Sequence, residues 1–205
     1  QKLDTLLLIV GAEYPELSVV KVERFSPSDM YDMGGFFDFD IDTHGNITPK
    51  VCVSEGDPEL LRPLLDIRQS SVKLNADLLG VPSTALTPEI LQLFIIAHEF
   101  GHSQDFVRNY QNDPHLSGPE AIEQMDSHRY SALASLPVPN ISPTDLIREL
   151  ASIQDIDAVV EKYPEIKKHP NAIQVRSIQD LIELQAREYR ETPPERYADG
   201  VARTF

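Results

Sequence analysis

The sequence predicts an α+β fold, in which a small N-terminal sheet precedes a mostly helical remainder. Three observations predict it. Residues 17–25 and 37–53 carry strand-like patterns, the cleanest being Phe37-Asp38-Phe39-Asp40-Ile41-Asp42, with a period of two. From Asp57 onward, helix-start signals recur: Asp57-Pro58-Glu59, Thr87-Pro88-Glu89, Ser142-Pro143-Thr144-Asp145 and Thr192-Pro193-Pro194-Glu195. Each sets a capping side chain before a proline in the first turn. No internal repeat or low-complexity stretch interrupts this order, so one domain is expected over residues 1–205. Residues 1–110 would hold the sheet, a backing helix and a central helix, and residues 111–205 a helical subdomain.

The elements follow in order. Residues 3–10 are apolar and suit either a helix or a buried strand, closed by Gly11 and Pro15. Leu17 to Phe25 reads as a strand. Phe37 to Asp42 has one aromatic and aliphatic face and one carboxylate face, and Thr43-His44-Gly45-Asn46 supplies the turn of a hairpin whose return strand is Ile47 to Val53. Pro49 suggests that the return strand is an edge, because proline cannot donate to a ladder. Asp38, Asp40 and Asp42 have calcium-loop spacing, but they fall on a strand and lack the loop's closing glutamate, so a solvated face is the better reading.

A helix from Asp57 to Gly80 carries Leu60, Leu61, Leu64, Leu65, Ile67, Val72, Leu74 and Leu78. A second runs from Thr87 towards Tyr110, and Asn112-Asp113-Pro114 ends it. Pro119 to about Leu136, one amphipathic helix from Ser142 to about Tyr163, Ser177 to Tyr189 and a short helix after Thr192 complete the chain.

Composition narrows the function classes. With 33 acidic against 18 basic residues and a net charge of −15, the surface repels nucleic acid and anionic membranes. No apolar run nears the roughly 18 residues of a membrane span. Cys52 is the only cysteine, which rules out an intramolecular disulfide and a cysteine-rich zinc site and favours a cytoplasmic setting. Gln1 in place of an initiator methionine reads as the mark of a processed or trimmed chain.

The chemistry concentrates at His98-Glu99-Phe100-Gly101-His102, at the end of the apolar run Leu91, Leu93, Phe94, Ile95, Ile96, Ala97. On a helix His98 and His102 stand one turn apart on one face, with Glu99 at its edge. Two imidazoles so placed suit Zn2+, which takes a third protein ligand and keeps one position open for water, and Glu99 is placed to act as the base for that water. Gly101 leaves room for a close approach. Several residues compete as third ligand: Glu195, which shares a helix side with Asp199, and Glu120, Glu123, Asp126 or His128 on the helix that follows the histidines. A metzincin pattern is excluded, since Asp105 and Arg108 stand where a glycine and a histidine are required.

His98-Glu99-Phe100-Gly101-His102 together with Glu195-Arg196-Tyr197-Ala198-Asp199 resembles the two-part signature of the gluzincin metallopeptidases, and Pro194 and Ala202 resemble the glutamate helix of small prokaryotic and phage-type members. The likeness covers the histidine helix and the last dozen residues. It implies a zincin-like fold, His98, His102 and Glu195 as Zn2+ ligands, Glu99 as general base and acid, and Asp199 as the residue that orients a ligand histidine. It also requires the long stretch between the two halves to fold as a helical pack that returns Glu195 to the histidines.

The function expected on these grounds is hydrolysis of peptide bonds in a peptide or protein substrate. An edge strand around Val51 to Ser54 would pair with the substrate, and Tyr110, His115, His128, Tyr189 or Tyr197 would assist at the oxyanion. Two other classes stand beside it: a zincin-like binding or regulatory module without useful turnover, and a zinc hydrolase acting on a non-peptide amide.

Overall fold

A computed structural model describes residues 2–27, 34–67 and 69–205 of the chain, and its architecture is α+β. Gln1 and the side chains of Leu64 and Ile67, both counted above on an apolar helix face, lie outside the described residues. The first apolar segment is a helix, α1 (Lys2–Glu13), whose buried residues Leu6 and Val10 are one turn apart. Pro15–Val19 then forms a 3-10 turn, so the strand expected from Leu17 begins only at β1 (Lys21–Phe25).

The hairpin forms as the turn chemistry requires. β2 (Gly35–Ile41) and β3 (Ile47–Ser54) pair antiparallel, with Phe37 opposite Val51 and Ile41 opposite Ile47. Asp42 closes the turn by accepting from the main-chain N–H of His44 and of Asn46, at 2.8 and 2.9 Å. The carboxylate face is neutralised by lysines: Lys50 lies 2.8 Å from Asp40 and 3.4 Å from Asp38, and Lys21 lies 2.8 Å from Asp40.

One expectation fails here. The strand order is β1-β3-β2, with β1 parallel to β3, so Val51 to Ser54 lie in the central strand and cannot pair with a substrate. The sequence pattern missed this because β1 docks from far along the chain. Pro49 is tolerated because β1 starts opposite Lys50, so at Pro49 the strand has a neighbour on one side only.

The helix expected from Asp57 to Gly80 forms in pieces: a 3-10 turn capped by Asp57, α2 (Arg62–Ile67) and α3 (Gln69–Leu79), ended by Gly80 at φ +68°. α4 (Pro88–Phe106) starts at Thr87, whose hydroxyl accepts from the Ile90 N–H, and it continues through a π-helical turn at Val107–Gln111. α5 (Gly118–Leu133) follows. The single helix expected from Ser142 to Tyr163 is two, α6 (Pro143–Leu150) and α7 (Ile156–Lys162), because Asp155 caps a new start by accepting from the Asp157 N–H. α8 (Ile178–Arg190) and α9 (Pro193–Ala202) complete the chain.

Among the described residues two large apolar cores result, beside a small cluster of Leu61 and Leu91. The first joins α1, the sheet, α4 and α9: Val51 and Val53 are fully buried, and Phe37 and Phe39 meet Phe106 with ring centroids 6.1 and 4.6 Å apart. The second joins Val138, Leu146, Ile147, Leu150, Val159, Ile166, Leu181 and Ile182, within the helices that separate α5 from α9. Among the described residues, no helix is long and apolar enough to cross a membrane.

Candidate metal centre

α4 is the axis of the site. Its first half buries Leu91, Phe94, Ile96 and Ala97, which fixes its rotation, so His98 and His102 one turn apart both face α9 with 5 % and 7 % exposure. Gly101 lets α9 come close: a Cβ added there would stand 2.5 Å from Ala198 Cα and 2.7 Å from its carbonyl oxygen. Glycine is therefore needed for contact between helices rather than for ligand access. α9 follows α8 after only Glu191 and Thr192, and its prolines at 193 and 194 place Glu195 in the first turn, directed at the histidines.

The carboxylate of Glu195, 3 % exposed, lies against both imidazoles, with Oε2 3.2 Å from His98 Nε2 and Oε1 3.4 Å from His102 Nε2. One turn later on α9, Asp199 Oδ1 takes up His98 Nδ1 at 2.8 Å. That bond holds Nδ1 and turns Nε2 towards Glu195. The two rings stand nearly perpendicular, 4.5 Å apart. Glu99 is less buried than the histidines, and its Oε2 accepts from the main-chain N–H of Phe37 at 2.9 Å, so the outer edge of β2 borders the site.

The ligand atoms of His98, Glu99 and His102 lie within 4.8 Å of one another, and this group can hold a metal ion. Glu195 stands 3.2 and 3.4 Å from the two Nε2 atoms, so the cluster has two carboxylates of different character. One is buried between the rings; the other is partly exposed and tied to a strand.

The electrostatics follow from burial and pairing. Burial pushes His98 down, but Glu195 and Asp199 outweigh both it and the opposing Arg190, and raise His98 to about 9. Burial would raise Glu195, yet His102 and His98 hold its carboxyl well below the usual carboxylate range. Burial first, then the Glu195 carboxylate, drives the Tyr189 hydroxyl well above its ordinary value, so it stays protonated. Arg190 donates to Asp199 and to Asn75 Oδ1, the latter at 2.9 Å, and stands 3.7 Å from Glu195.

The site opens into a cleft of about 570 Å³ walled by β2, by Asp126, Arg129 and Tyr130 of α5, and by residues 142–145 at the start of α6. Three other depressions, of about 730, 710 and 680 Å³, are larger, but among the described residues they hold no convergent buried polar groups.

The remaining candidates are placed elsewhere or otherwise engaged. Glu120 accepts from the Ser117 N–H at 2.8 Å and caps α5, Glu123 is exposed, and His128 bonds the Tyr110 hydroxyl at 2.8 Å. The Tyr197 hydroxyl donates to Gln104 at 3.0 Å, and His115 is exposed. Of the oxyanion candidates only Tyr189 lines the cleft, together with Asp126 from the ligand candidates. Arg129, Arg190 and Asn75 were missed because charged and amide residues at helical spacing look like solvated faces; the Asp126 to Arg129 spacing in particular reads as a surface pair. No family model, curated protein or solved structure matches the chain.

Proposed function

We propose that the chain is a zinc-dependent peptidase of gluzincin type, a single zincin-like catalytic unit in which His98, His102 and Glu195 hold the metal and Glu99 is the general base. The observation that carries this reading is the Glu195 carboxylate set against two imidazole nitrogens at 3.2 and 3.4 Å, with Asp199 on the far nitrogen of His98. The donor set fits zinc. Bonds of about 2.0–2.2 Å at a tetrahedral angle place neighbouring donor atoms roughly 3.3–3.5 Å apart.

Zinc bound there would lower the pKa of its water towards neutrality and polarise a substrate carbonyl. Glu99 suits the base better than the ligand, because it faces the open cleft while Glu195 is enclosed. The Phe37 N–H holds the Glu99 carboxylate in one orientation, from which it takes the proton of the attacking water and passes it to the departing amine. Asp199 orients His98, and Arg190 in turn holds Asp199.

An extended peptide would lie along β2, whose outer edge borders the cleft. Gly35 and Phe39 alternate in register with Phe37, so their main-chain groups point to the same outer side. Gly35, at φ +142°, sits where a Cβ would stand 2.3 Å from the Cys52 carbonyl oxygen, so only glycine permits the strand to start there.

Cleavage of a peptide library by wild type and Glu99→Gln, with metal content measured in both, tests the reading. Metal retained and cleavage abolished in the variant is the expected result. Equal cleavage by the two proteins would remove Glu99 as the base.

A further inference from the structure

Two arginines border the cleft, and they differ in their partners. Arg190 is engaged with Asp199 and Asn75 and stands beside Glu195. Arg129, on α5 across the cleft, is partly buried yet forms no hydrogen bond and no ion pair among the described residues. Asp126 lines the cleft one turn earlier on the same helix without pairing to it. Arg129 also borders a small void with Phe37, His102 and Pro194, which sets it beside the strand residue whose N–H holds Glu99.

Its charge is secure. Burial works against it, but Tyr189, Glu195, Glu99 and Asp126 together raise its pKa above the ordinary arginine value. A partly desolvated guanidinium with unfilled donors is costly to keep, and its planar fork suits an oxygen that carries negative charge. Of the other donors expected at this position, Tyr110 is bonded to His128 and Tyr197 to Gln104, while Tyr189 lines the cleft beside Glu195.

We propose that Arg129 is a further catalytic residue, donating hydrogen bonds to the carbonyl oxygen of the scissile amide as that oxygen becomes negative; this rests on the peptidase reading above. In the first step the water oxygen bonds to the carbonyl carbon, one water proton passes to Glu99, and the π electrons move onto the oxygen facing Arg129. In the second, those electrons return, the C–N bond breaks, and the nitrogen leaves with the proton from Glu99. The second water proton stays on the new carboxylic acid until it ionises. Arg129 therefore binds the transition state more strongly than the substrate.

The test compares Arg129→Met and Arg129→Lys with wild type and Glu99→Gln on one cleaved peptide, with zinc content, thermal unfolding and the affinity of a phosphinic peptide mimicking the tetrahedral state. Arg129→Met should lose about 10²–10³-fold in kcat, with KM within a few-fold and zinc retained. Phosphinate affinity should fall in step with kcat/KM, and Arg129→Lys should recover part of the loss. An Arg129→Met protein as fast as wild type, or one changed in KM alone, overturns the proposal while leaving the peptidase reading intact. Wild type and Glu99→Gln cleaving alike would instead sink the peptidase reading itself.

Discussion

The two large cores of this chain are built on opposite terms. The second, around Leu146, Val159 and Leu181, is aliphatic; its deeply buried polar side chain, Gln185, is satisfied by the Val138 N–H and by the carbonyls of Val138 and Ile141, all within 2.9 Å. The first is interrupted by His98, His102, Glu195 and Asp199, four ionisable groups brought together between α4 and α9. Burying such groups costs several kcal/mol each unless they are paired, and a group of them persists only where the surroundings hold it in register. The aliphatic core supplies that support at a distance. It anchors the turn before α6, which walls the cleft, and carries α8, whose last turn presents Tyr189 and Arg190 to the site.

Leu181→Ala should therefore give the largest loss of stability, about 2–5 kcal/mol in chemical denaturation, because the side chain is fully enclosed. Gly101→Val should cost less overall, about 1–3 kcal/mol, but its damage should fall on the site, since the added atoms push α9 and Glu195 away from the histidines. Measured together, the two variants separate the cores: the first should lower the unfolding midpoint with metal affinity retained in the folded protein, and the second should weaken metal binding more than stability.

Asp199→Ala should lower metal affinity by about 10–100-fold, as removing an orienting carboxylate does elsewhere, and should also lower stability, since it leaves Arg190 and His98 without their buried partner. A smaller effect follows from His98. Its proton is held up to about pH 9 and must leave when a metal takes Nε2, so affinity should rise as pH is raised from 6 to 9. Calorimetry in buffers of different ionisation enthalpy should record that proton release.

Much of this was legible in the chain because its signals are local. Thr87, Ser142 and the prolines behind them mark helix starts, and an i, i+4 histidine pair on an apolar helix needs no tertiary knowledge. Glu195 and Asp199 were readable as one side of a short helix, but the spacing left the carboxylate that meets the histidines open among several. What failed was non-local. The docking of β1 beside β3, which makes β2 the strand at the cleft, leaves no trace in the pattern of residues 47–54. The break between α6 and α7 was hidden because Ile153 and Ile156 continue the apolar spacing across it and belong to the same core. Gly101 was visible, but the partner that requires it, Ala198, lies on a helix whose position no periodicity reveals.

The central claim is that the last helix completes a metal site begun on α4. Titration of Zn2+ into wild type, Glu195→Gln and Glu99→Gln, followed by competition with a chelator, tests it most directly. Glu195→Gln should lose more affinity than the about 10–100-fold expected for an orienting residue, and Glu99→Gln should bind within a few-fold of wild type. Affinity unchanged in Glu195→Gln and abolished in Glu99→Gln would contradict the account.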